Sequence, residues 1–566
     1  RATSFSPAME FVPDEYLGML VPPNQPLRAR IINRTGGPIS GTLKWSLQTP
    51  FRQQVATGSQ RLNVAGDTTS CSFSLPAKLS GGIFVLHYTF SDSQQRSVAR
   101  GKLRFSIGTP PAIGRNHHFF AATPDYSGDW PGKLFERKVQ VLAALGLGTL
   151  HTYVGYRRIN EMLSNERFSG LLESTEKAGL AWLVTPSDAA ALTGKQTWAP
   201  GPGNVGPEAI EIKREDLGSG RCTDAQLQAW CDAIGMLARR FRGRIKFWEI
   251  LNEPNTFLNG EEYGKVLAAT SRTLRGADPD AHIIAGSVVN AHRKDLYQTT
   301  IAAPAGSFDS FSFHPYRFGL PNPESERESY RRMIQEVKAD LSQAGHSPTI
   351  FLTEEGMGPG LDETRCIGYR LGHNGIVRQV DWGEGEILQA QYGARMYLTA
   401  LGEGCIGYSY HTLGGLTHDS LMNPLLALKT LHTMDSVLGD AVPAGKVDVG
   451  HDFVCYLFQI ATKHPAAANG RSVVAGLWPK DAEYAQPIPI TFRGRITVSA
   501  VDLFGMPLEI TRQGEENPSV MLGRALVYLT FEETSVDDAK RLLARSFTGV
   551  HGNPKEGAPR ASDPNM

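Results

Sequence analysis

The sequence predicts a multidomain protein with a central (β/α)8 TIM barrel, residues 111–440, flanked by an N-terminal β-sandwich and a C-terminal β-sandwich-like domain. Three observations predict it. Short runs with alternating polar and apolar residues fill 1–110, strand-like and helix-like segments alternate through the middle, and simple alternation returns over 441–533. Alternation is typical of antiparallel sheets, whereas strand-helix repeats are typical of parallel sheets with crossover helices. We expect a tail at 534–566.

The N-terminal segment carries the first alternating runs, Leu27–Ile31, Thr42–Leu47 and Gly82–Tyr88, separated by Gly, Pro and Asn turns. This pattern favours an Ig-like sandwich. Gly108-Thr109-Pro110-Pro111 then breaks the pattern and starts a different one.

The middle segment contains eight strand-like runs, which is the number that closes a TIM barrel. The predicted strands are His118–Ala122, Leu150–Val154, Ala181–Thr185, Ile245–Leu251, His282–Ser287, Ser310–His314, Ile350–Thr353 and Cys405–Tyr410. Helical spacing of apolar residues predicts the helices Gly132–Leu145, Asp224–Arg240, Glu261–Leu274, Glu324–Ala344 and Glu386–Leu401.

The C-terminal segment returns to short alternating strands, predicted at Asp452–Ile460, Ser472–Leu477, Ile488–Phe492, Ile496–Val501 and Ala525–Phe531. From His551 onward the chain is rich in Pro, Gly, Asn and charge, so we expect a poorly ordered end or a surface lid.

Composition excludes several classes of protein. Lys plus Arg equals Asp plus Glu at 57 each, so the charge signature of a nucleic-acid binder is missing and a neutral ligand fits better. No apolar run has the length of a membrane span. The chain begins at Arg1, which fits a cleaved export signal or a trimmed chain; we expect a periplasmic or extracellular protein, with a cytoplasmic one left open.

The six cysteines are spread along the chain without Cys-x-x-Cys spacing, so neither a zinc site nor a disulfide framework is indicated. One bridged pair stays open if the protein is exported. We expect no cofactor and no metal, because His117 and His118 are adjacent rather than spaced along a helix and Gly146-Leu147-Gly148 lacks the third glycine of a dinucleotide loop.

Two strands end in carboxylates. Strand 4 ends in Asn252-Glu253-Pro254, and strand 7 ends in Thr353-Glu354-Glu355-Gly356. Because barrel strands present their carboxyl ends to one pocket, these side chains are expected to face each other. A pair of carboxylates, one to protonate the leaving oxygen and one to meet the oxocarbenium-like carbon, is the minimal machinery for cleaving a glycosidic bond.

Two longer motifs, Trp248-Glu249-Ile250-Leu251-Asn252-Glu253-Pro254-Asn255 and Ser312-Phe313-His314-Pro315-Tyr316, give the chain a family resemblance. Over roughly residues 112–440 it resembles the clan A retaining glycoside hydrolases, and most of all glycoside hydrolase family 39 and its near relatives. The resemblance implies cleavage of β-linked or arabinose-type glycosidic bonds by double displacement. It also implies that Glu253 is the acid/base and Glu354 the nucleophile, with Glu355 as the competing choice.

The resemblance further implies a substrate-binding set. Asn252 would bond the sugar 2-hydroxyl, and His314 and Tyr316 would lie beside the nucleophile. The chain departs from the clan at two positions: His151 stands near the end of strand 2 where an arginine is usual, and Tyr410 and His411 end strand 8 where a tryptophan is usual. We expect all three to contact the sugar.

Strand alternation points Glu249 into the barrel, where we expect a buried ion-pair partner and not a third catalytic acid. A non-catalytic carbohydrate-binding protein and a transglycosylase remain alternatives to the hydrolase. The sugar, the linkage, endo or exo action and the oligomeric state stay open, because they depend on loops around Trp130, Tyr153, Trp198 and Trp382.

Overall fold

The middle of the chain closes into an eight-stranded parallel barrel in the computed structural model of this protein. The structure describes residues 9–13, 20–50, 52–77, 79–114, 116–123, 133–155, 159, 163–164, 166–187, 189–193, 220–289, 303–315, 323–324, 329–356, 382–411, 417–418, 423–424, 426–460, 472–480, 487–513, 517–523 and 525–547.

All eight predicted barrel strands are present, and the first pairs with the last to close the sheet. Barrel strands 1 to 8 are Phe120–Thr123, Thr149–Val154, Ala181–Pro186, Ile245–Glu249, His282–Val289, Ser310–His314, Thr349–Glu355 and Gly407–His411. An apolar layer of inward side chains fills part of the interior, formed by Ala121, Leu183, Phe247, Ile284 and Phe351. The predicted (β/α)8 fold is therefore confirmed.

Three of the helices in the barrel segment begin at polar caps, Thr223, Asn259 and Ser329. The helices are Lys133–Ala144, Glu166–Lys177, Ala189–Thr193, Asp224–Arg240, Gly260–Ala277, Tyr330–Gln343, Trp382–Gly402 and Leu426–Leu438, with 3-10 turns at His117–Phe119 and Pro254–Thr256. Thr223 shows the capping clearly: its hydroxyl accepts the Gln226 N–H at 3.3 Å, and the Gln226 side chain accepts the Thr223 N–H at 2.9 Å. Such a reciprocal pair satisfies donors that a helix start leaves open. The helix predicted from Glu324 begins at Tyr330.

The N-terminal segment forms the predicted sandwich. A three-stranded sheet contains Met9–Pro13, Leu27–Asn33 and Thr68–Phe73, and a five-stranded sheet contains Leu20–Val21, Ser97–Ile107, Gly82–Asp92, Ile39–Gln48 and Gln54–Val64. Leu27–Asn33 alternates buried and exposed residues, as a strand with one face on a core does. Leu43, Phe84 and Phe90 are fully buried between the sheets.

The sandwich and the barrel belong to one compact unit, residues 1–441 with 503–507. Buried polar contacts join them. Arg104 of the sandwich pairs with Glu386 at the start of helix Trp382–Gly402, and Lys429 donates to the Ile107 carbonyl at 3.1 Å. The Lys429 ammonium also contacts His432, whose Nε2 contacts the Thr109 carbonyl at 3.0 Å.

The second compact unit, residues 442–502 with 508–566, holds the C-terminal β domain. Its five-stranded sheet contains Ala441–Val447, Phe453–Ile460, Ser472–Pro479, Val527–Glu532 and Val498–Asp502, and its three-stranded sheet contains Ile488–Thr491, Asn517–Leu522 and Ile510–Gln513. A two-stranded ribbon, Thr417–His418 with Asn423–Pro424, lies earlier in the chain.

The segment expected to be a tail from 534 begins instead with a helix, Val536–Ser546. Ala539, Leu543 and Phe547 join the hydrophobic core of the C-terminal domain. The apolar spacing of these three residues is helical, so one face of this helix packs on that core. The stretch 551–566 lies outside the described residues.

The described residues bear on the predictions about membrane spans and about cysteine pairing. None of the described helices has the length and apolar character that a membrane span needs. Five of the six cysteines lie among the described residues and form no disulfide bond there: Cys71, Cys222, Cys231, Cys405 and Cys455. Cys366 lies outside the described residues.

Candidate active site

The tip of strand 4 leaves the regular sheet conformation to present Glu253. Leu251 and Glu253 have left-handed φ values of 69° and 46°, which non-glycine residues uncommonly adopt. The backbone holds this geometry: the Glu253 N–H donates to the Ser287 carbonyl at 3.0 Å, and the Glu253 carbonyl accepts the N–H and the hydroxyl of Thr256 at 2.9 and 2.7 Å. Strained residues of this kind cluster at functional sites, which marks Glu253 for attention.

Strand 7 contains a bulge next to its carboxylates. Leu352 pairs with Tyr408 and Glu355 pairs with Tyr410, so strand 7 carries one residue more than strand 8 over this stretch. A bulge breaks strict alternation and re-aims a side chain. It turns Glu354 inward beside its inward neighbour Thr353, whose hydroxyl contacts residues of strand 6 inside the barrel.

Glu355 lies on the other side of strand 7, in the helix layer. Burial first, and then the nearby Glu355 carboxylate, raise the pKa of Tyr330 well above its usual range. Glu355 is 2% exposed. Of the two adjacent carboxylates, Glu354 is therefore the one that faces the pocket.

His314 lies between the two inward carboxylates. Its Nδ1 is 3.0 Å from Oε1 of Glu253 and 3.0 Å from Oε2 of Glu354, and its Nε2 is 3.3 Å from the Thr353 hydroxyl. The contact to Glu253 has hydrogen-bond geometry, whereas the contact to Glu354 is an ion-pair distance. On the opposite side, Nδ1 of His411 is 3.1 Å from Oε1 of Glu354. Two imidazoles thus flank one carboxylate.

The charged groups of this site stabilise one another's ionised forms. Burial alone would lower the pKa of His314, but Glu354 and Glu253 outweigh it and raise that pKa to about 10. Burial would likewise raise the pKa of Glu354, but His314 and His411 hold it well below its usual range. At neutral pH the site therefore contains an ionised Glu354 beside a protonated His314.

One ligand atom from each of Glu253, His314 and Glu354 lies within 4.8 Å of the other two. Atoms at this spacing can bind a small cation or share a proton through hydrogen bonds. The protonated imidazole places a positive charge between the two carboxylates.

The structure places some of the other predicted substrate-binding residues at the pocket. Asn252 is partly exposed beside Glu253, its N–H reaches the Ser187 hydroxyl at 3.4 Å, and its side-chain carbonyl has no hydrogen-bond partner among the described residues. His411 lines the pocket with its side chain 24% exposed. Its ring is 6.4 Å from that of Tyr153, one of the residues around which the loops are expected to set the sugar specificity. Tyr316 lies outside the described residues.

Two predicted sugar contacts are not met. His151 is fully buried below the pocket, with Nε2 3.0 Å from Glu249 and 2.7 Å from the Thr185 hydroxyl. The expected inward position of Glu249, as a buried ion-pair partner, agrees with this contact. Tyr410 is 1% exposed and points into the helix layer, where Gln389 donates to its hydroxyl at 2.9 Å. Alternation explains this: with His411 inward, its neighbour must face outward.

No family model and no curated protein matches the sequence. A family 39 glycoside hydrolase from the gut symbiont Bacteroides cellulosilyticus WH2 aligns over 92% of this chain and 100% of its own, with a TM-score of 0.65 and 14% identity. The chain has the fold of a family 39 glycoside hydrolase. The resemblance drawn from the motifs is thereby confirmed at the level of fold, and 14% identity carries it no further.

Two other solved structures align less well. CelM2, a bifunctional glucanase-xylanase from a metagenome library, has a TM-score of 0.45 and 11% identity, over 75% of this chain and 97% of its own. The β-glucuronidase 2 of Bacteroides uniformis has a TM-score of 0.35 and 10% identity, over 92% of this chain and 59% of its own.

Proposed function

We propose that this protein is a retaining glycoside hydrolase that cleaves β-linked or arabinose-type glycosidic bonds, with Glu253 as acid/base and Glu354 as nucleophile. One observation carries the proposal: carboxylate oxygens from the tips of strands 4 and 7 lie within 4.8 Å of each other around His314. Retaining enzymes need carboxyl groups about 5 to 5.5 Å apart, whereas inverting enzymes need about 6.5 to 9.5 Å to admit a water.

In the first step, the ionised Glu354 oxygen bonds to the anomeric carbon while the bond to the leaving oxygen breaks. Glu253 gives its proton to that oxygen, so the aglycone departs as a neutral alcohol. In the second step, Glu253 removes a proton from water, the water oxygen bonds to the anomeric carbon, and the Glu354 ester bond breaks. Two inversions return the original configuration.

The surroundings suit these two roles. The low pKa of Glu354 keeps it ionised and makes it a good leaving group in the second step. Glu253 is more exposed, with its side chain at 27%, and so can exchange protons with water and with a leaving group. Asn252, next to Glu253, is in position to bond a sugar hydroxyl, an interaction that strengthens at the transition state.

A panel of nitrophenyl glycosides, followed by polysaccharide digestion, tests the activity, and Glu354→Gln tests the mechanism. That variant keeps the shape but removes the charge that attacks carbon, so turnover should fall by about 10⁴-fold or more with the fold intact by circular dichroism. Glu355→Gln is the matched control and should retain turnover. The assignment is wrong if Glu354→Gln is active and Glu355→Gln is not.

A further inference from the structure

A layer of polar side chains crosses the barrel directly below the two carboxylates. Each of the eight strands contributes one buried residue, and each of these side chains contacts another member of the layer. In strand order the layer contains Thr123, His151, Thr185, Glu249, Ser287, Ser312, Thr353 and Ser409, none more than 1% exposed.

This layer is unusual for a barrel interior. Branched apolar side chains dominate such cores, and the layer beneath, which contains Leu183, Phe247 and Phe351, follows that rule. Burying polar groups is costly unless they are hydrogen-bonded, and burying a charge is costlier still. A layer that contains a carboxylate therefore needs a reason that packing alone does not provide.

Glu249 is the charge at the centre of the layer. Its Oε2 is 3.0 Å from His151 Nε2 and accepts a hydrogen bond from the Thr185 hydroxyl, and its Oε1 accepts one from the Ser287 hydroxyl. Ser287 reaches it from a bulge in strand 5, where its φ is 50°. Burial would raise the pKa of the Glu249 carboxyl, but His151, His314 and Ser287 together lower it.

His151 extends the contacts around the barrel. Its other nitrogen, Nδ1, lies 3.3 Å from the Thr123 hydroxyl and 3.4 Å from the Ser409 hydroxyl. The imidazole thus touches side chains of strands 1, 3, 4 and 8. Both nitrogens are engaged, so the ring is fixed.

Both members of this pair act electrostatically on the groups above. The charge of His314 contributes to lowering the pKa of Glu249, and His151 contributes, after His314 and His411, to lowering the pKa of Glu354. Such interactions are reciprocal. Glu249 must therefore favour the protonated form of His314, from below, as the two pocket carboxylates do from above.

We propose that Glu249 and His151 form a positioning pair that acts on the nucleophile through the buried imidazole of His314. The proposal rests on the proposed function and adds to it. Both residues are fully buried below the pocket; Glu249 supplies a further counter-charge to His314, and His151 connects Glu249 with strands 1, 3 and 8. In this protein a carboxylate-imidazole pair occupies the place below the pocket where the resemblance predicts an arginine.

The groups that face the pair can be named. Glu249 pairs with His151 of strand 2 and interacts electrostatically with His314 of strand 6 and with Tyr263 of helix Gly260–Ala277. Glu354 of strand 7 interacts with His151. Among these, His314 is the group whose protonation should report the loss of Glu249, because a removed negative charge makes the imidazolium less stable.

The test is a histidine titration by NMR on the full-length protein labelled with ¹⁵N-histidine, with the His314 signals assigned from His314→Gln. In the wild type, His314 should titrate near its pKa of about 10. In Glu249→Gln the midpoint should move to lower pH. Thr270→Val is the matched control: it removes a buried hydroxyl that accepts the Trp230 indole N–H at 3.1 Å in the helix layer, and it should leave the midpoint unchanged.

Kinetics provide a second arm. Glu249→Gln and His151→Gln should lower kcat by about 10- to 100-fold with little change in KM, because the nucleophile is displaced and not the sugar site. In His151→Gln the acid limb of kcat/KM should move to higher pH. Should Glu249→Gln fail to fold, Ser287→Ala takes its place. It removes a single hydrogen bond to Glu249, so it should lower the His314 midpoint and kcat in the same directions but by smaller amounts.

A His314 midpoint that is the same in wild type, Glu249→Gln and Ser287→Ala overturns the proposal. So does a kcat/KM profile that superimposes on the wild type in His151→Gln. If the wild type hydrolyses no glycoside while the midpoint still shifts, the pair stands as the electrostatic support of His314, and the hydrolase assignment alone fails.

Discussion

At the scale of single residues, His314 has one Nδ1 proton and two carboxylates at 3.0 Å. In the free enzyme of the proposed mechanism, Glu354 is charged and Glu253 is protonated. In the covalent intermediate, Glu354 is an uncharged ester and Glu253 is a carboxylate. The imidazolium therefore faces one negative charge from the two pocket carboxylates in both states, and that charge only moves from one of them to the other. A fixed cation between them keeps the electrostatic cost of that transfer low.

Removing the acid/base should affect the two steps differently. Glu253→Ala should still be glycosylated by activated aryl glycosides, because a good leaving group needs little protonation, but it should lose substrates with poor leaving groups. Added azide should then restore turnover, since it attacks the intermediate without a general base. The product to look for by NMR is a glycosyl azide with the configuration of the substrate. If azide has no effect on rate or product, Glu253 is not the acid/base.

His314 also predicts how stability depends on pH. Its pKa is raised in the folded state to about 10, from about 6.5 in an unfolded chain. It therefore contributes stability that is complete below about pH 6.5 and is lost as pH rises towards 10. The difference in unfolding free energy between wild type and His314→Gln, from urea titrations at pH 7, 8.5 and 10, should shrink with rising pH. A difference that stays constant would contradict this, and His451→Gln in an exposed turn is the control.

At the scale of elements, the sequence predicts what is encoded locally. Asn252-Glu253-Pro254 and Glu355-Gly356 end apolar runs, so the strand tips and their carboxylates can be found by reading along the chain. Whether a side chain faces the barrel interior or the helix layer depends on where a strand contains a bulge. No local sequence pattern marks the bulge at Glu354. Tyr410 differs: alternation along strand 8 already forbids that Tyr410 and His411 both face inward.

The polar layer is not predicted from single strands of the sequence, for a related reason. Ser287, Ser312 and Ser409 each look like ordinary strand serines, and only closure of the barrel brings them to one level. A position-by-position alignment of the predicted strands supplies a signal, because seven of the eight contain one of the layer's Ser, Thr, His or Glu residues and Thr123 directly follows the first.

Gly356 offers a test of the strand 7 geometry. A Cβ at this position would lie 2.1 Å from the His411 carbonyl oxygen, so Gly356→Ala must push strands 7 and 8 apart. We expect His411 to lose its 3.1 Å contact with Glu354 and kcat to fall by about 100-fold. Gly155→Ala, at the end of strand 2 with no atom within 4 Å of the added methyl, should keep wild-type kcat. Equal rates in both variants would show that the close approach of these strands has no role.

At the scale of the molecule, an ion pair joins the N-terminal sandwich to helix Trp382–Gly402, which precedes barrel strand 8. Glu386 accepts from Arg104 of the sandwich and from the Leu426 N–H at 2.9 Å, and it begins the helix that leads into that strand. The side chains of Arg104 and Glu386 are 17% and 2% exposed. The ion pair thus joins a half-buried arginine to a fully buried carboxylate between two parts of one unit.

Breaking this pair should be costly. Arg104→Met leaves the Glu386 charge buried with the Leu426 N–H as its remaining described partner, and we expect a loss of about 3 kcal/mol in unfolding free energy. Guanidinium denaturation of the full chain measures it. Arg96→Met is the control, because Arg96 is 72% exposed in its pair with Asp92 and should matter little. A loss no larger in Arg104→Met than in the control would show that the pair does not hold the sandwich to the barrel.

The strand 7 bulge has a consequence for how this active site can change over evolutionary time. Because Glu354 faces inward by virtue of one additional residue, the position of the nucleophile depends on strand length as well as on side-chain identity. Losing one residue of this stretch through a three-nucleotide deletion would restore strict alternation: without Thr353 the strand would keep Glu354 inward and Glu355 outward, and without Glu354 it would have no inward carboxylate at this level. Shortening of strand 7 over evolutionary time therefore preserves the proposed nucleophile when the codon lost precedes that of Glu354.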